Sequence, residues 1–173
     1  MSKIQLKKEI QKLTKEQLIE QIIELYDTYK PVKEYYQTFL NPQNIEELFK
    51  KYKAIIVNEF YPITKSRNPK MRFSVAKKAI ADFGTLKPPT ILLADLMMTL
   101  AENACKFTYN YGDMTEQYYR STASNFERAL KYIKKEGLLN DFKLRSEECL
   151  KYAESCGYGF TEQMDDLFDE YYQ

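Results

Sequence analysis

Apolar residues recur along this chain at spacings of three and four, the period of an α-helix with one buried face. Leu6, Ile10 and Leu13 begin the pattern. Thr14 with Gln17 three positions later makes a capping box, in which each side chain satisfies the other's free backbone amide. The helix behind it carries Leu18, Ile22, Leu25, Tyr26 and Tyr29 on one face. Pro31 suits the first turn of a third, short helix reaching Leu40, and Asn41-Pro42 breaks the chain again. Asn44 and Glu47 pattern as a second box, ahead of a helix with Leu48, Tyr52, Ile55, Ile56 and Phe60 inward. From Pro62 to Arg72 no periodicity survives, and a loop is predicted. Ser74 is expected to cap the next helix, with Ala76, Ala79, Ile80 and Phe83 inward and Gly84 closing it in the left-handed conformation.

Pro88-Pro89 marks the following boundary. From Thr90 to about Tyr109 the chain is apolar nearly all round in its first three turns, the signature of a helix surrounded by others. Asp113 and Glu116 read as a third capping box, opening a helix with Tyr119, Ala123, Phe126, Leu130 and Ile133 inward and Gly137 at its end. Another helix is predicted from about Asp141 to Cys156, with Phe142, Cys149, Leu150 and Ala153 inward and Gly157 closing it. A last one, capped by Thr161, carries Met164, Leu167, Phe168 and Tyr171. The expectation is an all-α fold, a single helical domain over residues 1–173. About eight short amphipathic helices pack as antiparallel hairpins, as a bundle or as a short solenoid-like stack. The number of short helices leans toward the stack.

Composition agrees. At 173 residues, 44% hydrophobic and 29% charged, the chain has an ordinary globular balance. Five glycines and six prolines are too few for an all-β fold with many tight turns. The opening Met-Ser-Lys-Ile-Gln-Leu-Lys-Lys turns polar before an apolar run develops, so no signal peptide is predicted. The longest apolar stretch, Ile91 to Ala101, is interrupted by Asp95 and is too short for a membrane span. Three cysteines, Cys105, Cys149 and Cys156, leave one unpaired in any disulfide scheme. Reduced thiols and a cytoplasmic location are expected.

The absence of histidine removes whole classes of chemistry. It excludes Ser-His and Cys-His nucleophile pairs, carboxylate-histidine metal motifs and Cys/His zinc sites. No cofactor motif is present, so no cofactor, metal site or enzymatic activity is expected. Four constellations remain. Lys65, Arg67, Lys70, Arg72, Lys77 and Lys78 occupy a stretch without acidic residues between Glu59 and Asp82, leading into a helix N-terminus where an anion is favoured. Asp95 and Glu102 lie two turns apart on one helix face, and either an acid-base pair or ion pairs with neighbouring helices would account for them. The acidic run Glu162, Asp165, Asp166, Asp169 and Glu170 lacks calcium-loop spacing and reads as a solvated face. The tyrosine doublets Tyr35-Tyr36, Tyr118-Tyr119 and Tyr171-Tyr172 each place one ring inward and one at a rim, where tyrosine suits protein contacts.

Charge is divided along the chain. Residues 1–89 carry 17 basic and 10 acidic side chains, residues 90–173 carry 9 and 15. The expected function is a non-enzymatic cytosolic helical module that binds a protein partner or itself, with contacts through the Tyr-rich helix rims and the loop from Lys65 to Arg72. The alternative is a nucleic-acid or anion-binding protein using the basic loop 65–78, and an enzyme using Asp95 and Glu102 comes third. No membrane association is expected.

The segment Leu13–Tyr26 (LTKEQLIEQIIELY), followed by Pro31–Tyr36 (PVKEYY), resembles the start of a family of small uncharacterised all-helical bacterial proteins, a domain of unknown function. The closing Gly157–Phe160 (GYGF) and Asp166–Tyr172 (DLFDEYY) are similar to that family's end. The resemblance implies a helical fold across most of the chain and assigns no activity to any residue.

Overall fold

A computed structural model describes residues 1–64, 68–154 and 156–172. Among the described residues are nine α-helices, one 3₁₀ turn at Pro42–Asn44 and no strand. The chain divides into two compact units, Met1–Ile45 and Glu46–Gln173.

The N-terminal unit holds α1 (Lys3–Ile10), α2 (Lys15–Thr28) and α3 (Lys30–Leu40). The Thr14–Gln17 box is formed as the sequence predicts: Gln17 N donates to Thr14 Oγ1 at 3.2 Å and Thr14 N to Gln17 Oε1 at 2.9 Å. Ser2 and Gln5 make a further box at the start of α1. Pro31 lies in the first turn of α3, and α2 packs along α3. The apolar faces of α1 and α2, however, are not inward. No side chain of either helix is buried, and Glu34 alone is buried in α3.

The C-terminal unit contains the core. It comprises α4 (Ile45–Phe60, from Glu46 onward), α5 (Phe73–Thr85), α6 (Thr90–Tyr111), α7 (Glu116–Lys135), α8 (Leu139–Ala153) and α9 (Phe160–Tyr172). α6, apolar nearly all round in its first three turns, is central to this unit, burying ten residues and packing on α5, α7 and α8. α9 in turn packs on α7 and α8, so α6, α7, α9 and α8 close a four-helix square. Of the two packings open to the sequence, this unit adopts the bundle. α7 buries Tyr119, Ala123, Phe126, Leu130 and Ile133 as its spacing predicts. Tyr119 stacks on Phe160 of α9 with ring centroids 4.7 Å apart.

Several local expectations give way to tertiary contacts. Ser74 does not cap α5, which begins at Phe73 behind Arg72 with no side-chain cap. Gly84 lies inside α5, while the left-handed residue is Lys87 (φ 52°) just before Pro88. A proline disfavours the right-handed helical conformation in the residue before it. The N-cap of α7 is Thr115, whose hydroxyl accepts from Tyr118 N at 3.3 Å. Asp113 instead accepts from the Tyr119 hydroxyl. Thr161 lies within α9, its hydroxyl donating to Ala153 O at 2.7 Å. α8 stops at Ala153, so Cys156 lies beyond it, and the left-handed residues of that turn are Tyr158 and Gly159 rather than Gly157.

Candidate functional site

Of the basic set, Lys65 and Arg67 lie outside the described residues. Arg72 is committed to Glu59 near the end of α4. Its Nε donates to Glu59 Oε2 at 2.9 Å, its Nη2 to Oε1 at 2.7 Å and its backbone N to Oε2 at 3.1 Å. Lys70 N and Met71 N both donate to the Glu59 carbonyl. Glu59 is thus the post to which the end of the loop is tied. Arg72 holds its buried carboxyl below the usual range, against the opposing effect of burial. Lys78 forms an exposed pair with Asp82, four residues on. Lys77 shares a small pocket with Ile80, Met97, Leu100, Asn125 and Arg128. Lys70 and Arg72 line one pocket of about 260 Å³ with Asn58, Glu59 and Asn68, whereas Lys77 and Lys78 face other neighbours, so the structure brings together only part of the described basic set.

The carboxylates of α6 resolve into an ion network. Arg145 of α8 reaches Asp95 through Nη1 at 2.7 Å and Glu102 through Nε and Nη2 at 2.5 and 2.6 Å. Lys53 of α4 reaches the other Asp95 oxygen at 2.6 Å, and Thr99 donates to the same oxygen. Burial works against the Arg145 charge, yet Glu102 and Asp95 prevail and raise its pKa. Two carboxylates two turns apart on α6 are thus bridged by one guanidinium, which ties α6 to α8. Their oxygens are taken up by these cations, so proton transfer at this place would have to break ion pairs first.

Both rings of the Tyr118-Tyr119 doublet are buried, against the expectation that one would lie at a rim. Tyr118 hydroxyl donates to Ala104 O at 2.9 Å. Tyr119 hydroxyl donates to Asp113 and accepts from Met114 N at 3.1 Å. It lines a pocket of about 340 Å³ with Thr108, Tyr109, Gly112, Asp113, Glu154 and Cys156. Burial, reinforced by Asp113, raises the Tyr119 pKa, so the hydroxyl remains a neutral donor at physiological pH. Tyr35, Tyr36, Tyr171 and Tyr172 are half-buried. Cys105 and Cys149 are buried free thiols, and a hydrogen bond with Cys105, together with burial, pushes the Cys149 thiol up. Among the described residues no group of three or more carboxylates or thiols is arranged to hold a metal ion.

One apolar surface was not read from the sequence as a surface at all. Ile4, Leu6 and Ile10 of α1 are exposed, as are Ile19, Ile22, Ile23 and Leu25 of α2. Phe39 and Leu40 add to it at the end of α3. The apolar residues of α2 sweep an arc of about 160° at 100° per residue, wider than the stripe one neighbouring helix covers. The one signal in the sequence was that width, since a helix with a single buried side shows a narrower band.

Taken together, the chain is all-helical, with a four-helix bundle within its C-terminal unit and an amphipathic helical unit at its N-terminus. It belongs to the family of unknown function DUF6155, whose model matches residues 1–171. No curated protein and no solved structure matches it. Among the described residues no helix is long and apolar enough to cross a membrane.

Proposed function

We propose that this protein is a non-enzymatic helical interaction module of the cytosol, which recognises another polypeptide through the N-terminal unit. One observation carries the reading: α1 and α2 bury no side chain while seven of their large aliphatic residues are exposed on two consecutive helices. Scattered surface leucines and isoleucines are ordinary, but the concentration of exposed ones along one side of α2, with Leu6 and Ile10 on α1, suits a place where protein packs. The buried free thiols Cys105 and Cys149 fit a reducing compartment. The test is capture from lysate of the source cells by tagged wild-type chain and by the Ile19→Asp, Ile23→Asp double variant. Proteins retained by the wild type and lost from the variant, with nuclease present, are expected. Identical recovery by both would refute the assignment to this face.

The nucleic-acid or anion reading is supported by the pocket that Lys70 and Arg72 line together, and by the approach of Lys77 and Arg128 to another with Asn125. On that reading, binding of a mixed-sequence oligonucleotide would weaken steeply with salt and fall in a Lys77→Glu variant. Binding that ignores both would retire it.

A further inference from the structure

We infer that the occupant of the α1–α2 face is a second copy of this chain, docked about a two-fold axis so that α1 of each copy lies along α2 of the other. The inference rests on the interaction reading above and names its partner. Three observations lead to it.

The first is that α1 lacks apolar support of its own. It has eight residues, no buried side chain and no acidic residue in its first turn. Isolated helices shorter than about 12 residues are marginal in water even with good formers. The Ser2–Gln5 box caps its start, and Gln11 N with Lys7 and Lys8 of the last turn supports its end, but none of these contacts buries an apolar side chain of α1.

The second is that α2 offers more apolar surface than its own unit uses. α3 packs along α2, yet Ile19, Ile22, Ile23 and Leu25 remain exposed. The connection between the two helices does not fold α1 back over them. Lys12 N and Leu13 N donate to Glu9 O and Ile10 O, closing the turn locally, and Leu6 and Ile10 stay exposed.

The third is the sign of the charges, which chooses the partner. Residues 1–13 carry Lys3, Lys7, Lys8 and Lys12 against Glu9 alone. α2 carries Glu16, Glu20, Glu24 and Asp27 against Lys15 alone. On the helical wheel Lys3 and Lys7 border the Leu6–Ile10 stripe, and Glu16 and Glu20 border Ile19 and Ile23. An unrelated partner would have to match a basic and an acidic apolar strip at once. A second copy does so by construction, because an isologous contact presents each strip to its complement twice. The carboxylates of α2 also argue against nucleic acid on this face, since they repel phosphate.

The experiment uses full-length chains and sedimentation velocity, with helix content checked by circular dichroism. One variant reverses α1 (Lys3→Glu, Lys7→Glu, Lys8→Glu), the other α2 (Glu16→Lys, Glu20→Lys, Glu24→Lys). The wild type is expected to show a reversible monomer–dimer equilibrium below about 100 µM. Each variant alone is expected to dimerise at least about tenfold more weakly, because like charges then face each other. Mixed in equal amounts, the two restore both contacts, and native mass spectrometry should show the heterodimer. That rescue also guards against misfolding as the cause of the loss. A wild-type chain that stays monomeric throughout overturns the inference, as does a dimer equally stable in both variants or a mixture without heterodimer. Partners lost from the Ile19→Asp, Ile23→Asp variant in the capture experiment would still uphold the interaction reading in that event.

Discussion

Glu59 shows what one residue can organise. Its carboxylate takes three hydrogen bonds from Arg72 and its carbonyl two more from the backbone of Lys70 and Met71. Glu59→Gln keeps the shape and removes the charge, leaving a guanidinium without its counter-ion. Because Arg72 is half exposed and screened by solvent, stability at pH 7 is expected to fall by only about 1 kcal/mol, read from urea unfolding. The sign of the pH dependence follows from the lowered carboxyl pKa. The contribution is complete above the ordinary value of 4.5 and is lost as pH falls through the lower folded-state value. The gap between wild type and variant should therefore narrow in acid; a gap constant from pH 7 to pH 3 would contradict the pairing. Sequence could not disclose this residue's role. Glu59 sat on a predicted helix and Arg72 at the end of a predicted loop, and only the path of the loop brings them together.

At the scale of the element, the glycines separate local from tertiary causes. Gly137 has φ 74° with nothing within 4 Å of a Cβ built on it, so its requirement is one of backbone alone. Gly137→Ala should cost about 1 kcal/mol. Gly84 is within α5, and a Cβ there would meet Leu93 at an ordinary 3.6 Å. Gly84→Ala should instead stabilise by about 0.5–1 kcal/mol, because helix propensity rises without a clash. Thermal melts of the two variants should move in opposite directions, and a loss at Gly84 would show that α5 and α6 approach too closely for a methyl. The same contrast explains which elements were legible. The Thr14–Gln17 box and the Gly137 stop need only neighbouring atoms, and the sequence announces both. Asp113 had the same spacing signal, but Tyr119 claims its carboxylate and the cap passes to Thr115. Asp95 and Glu102 were recognised as a pair in need of partners, yet Arg145 lies 50 residues from Asp95 and on another helix. Long-range pairing of that kind leaves no periodic trace. The outward faces of α1 and α2 differ from the expectation for a related reason, since amphipathic spacing says that a face is to be covered and not by what.

For the whole molecule, the three thiols divide by depth. Cys105 and Cys149 are sealed between α6 and α8, beneath the helices that Arg145 ties together, whereas Cys156 stands half-open beyond the end of α8. The protein therefore carries its own clock. A chromogenic disulfide reagent should consume one thiol promptly and the other two only as fast as the seam between those helices breathes. Replacing Arg145 with methionine should quicken the slow phase and leave the fast one alone. Three equivalents released together would mean that the seam does not seal. Each preparation would then report, in a cuvette and without a label, how tightly its centre is closed.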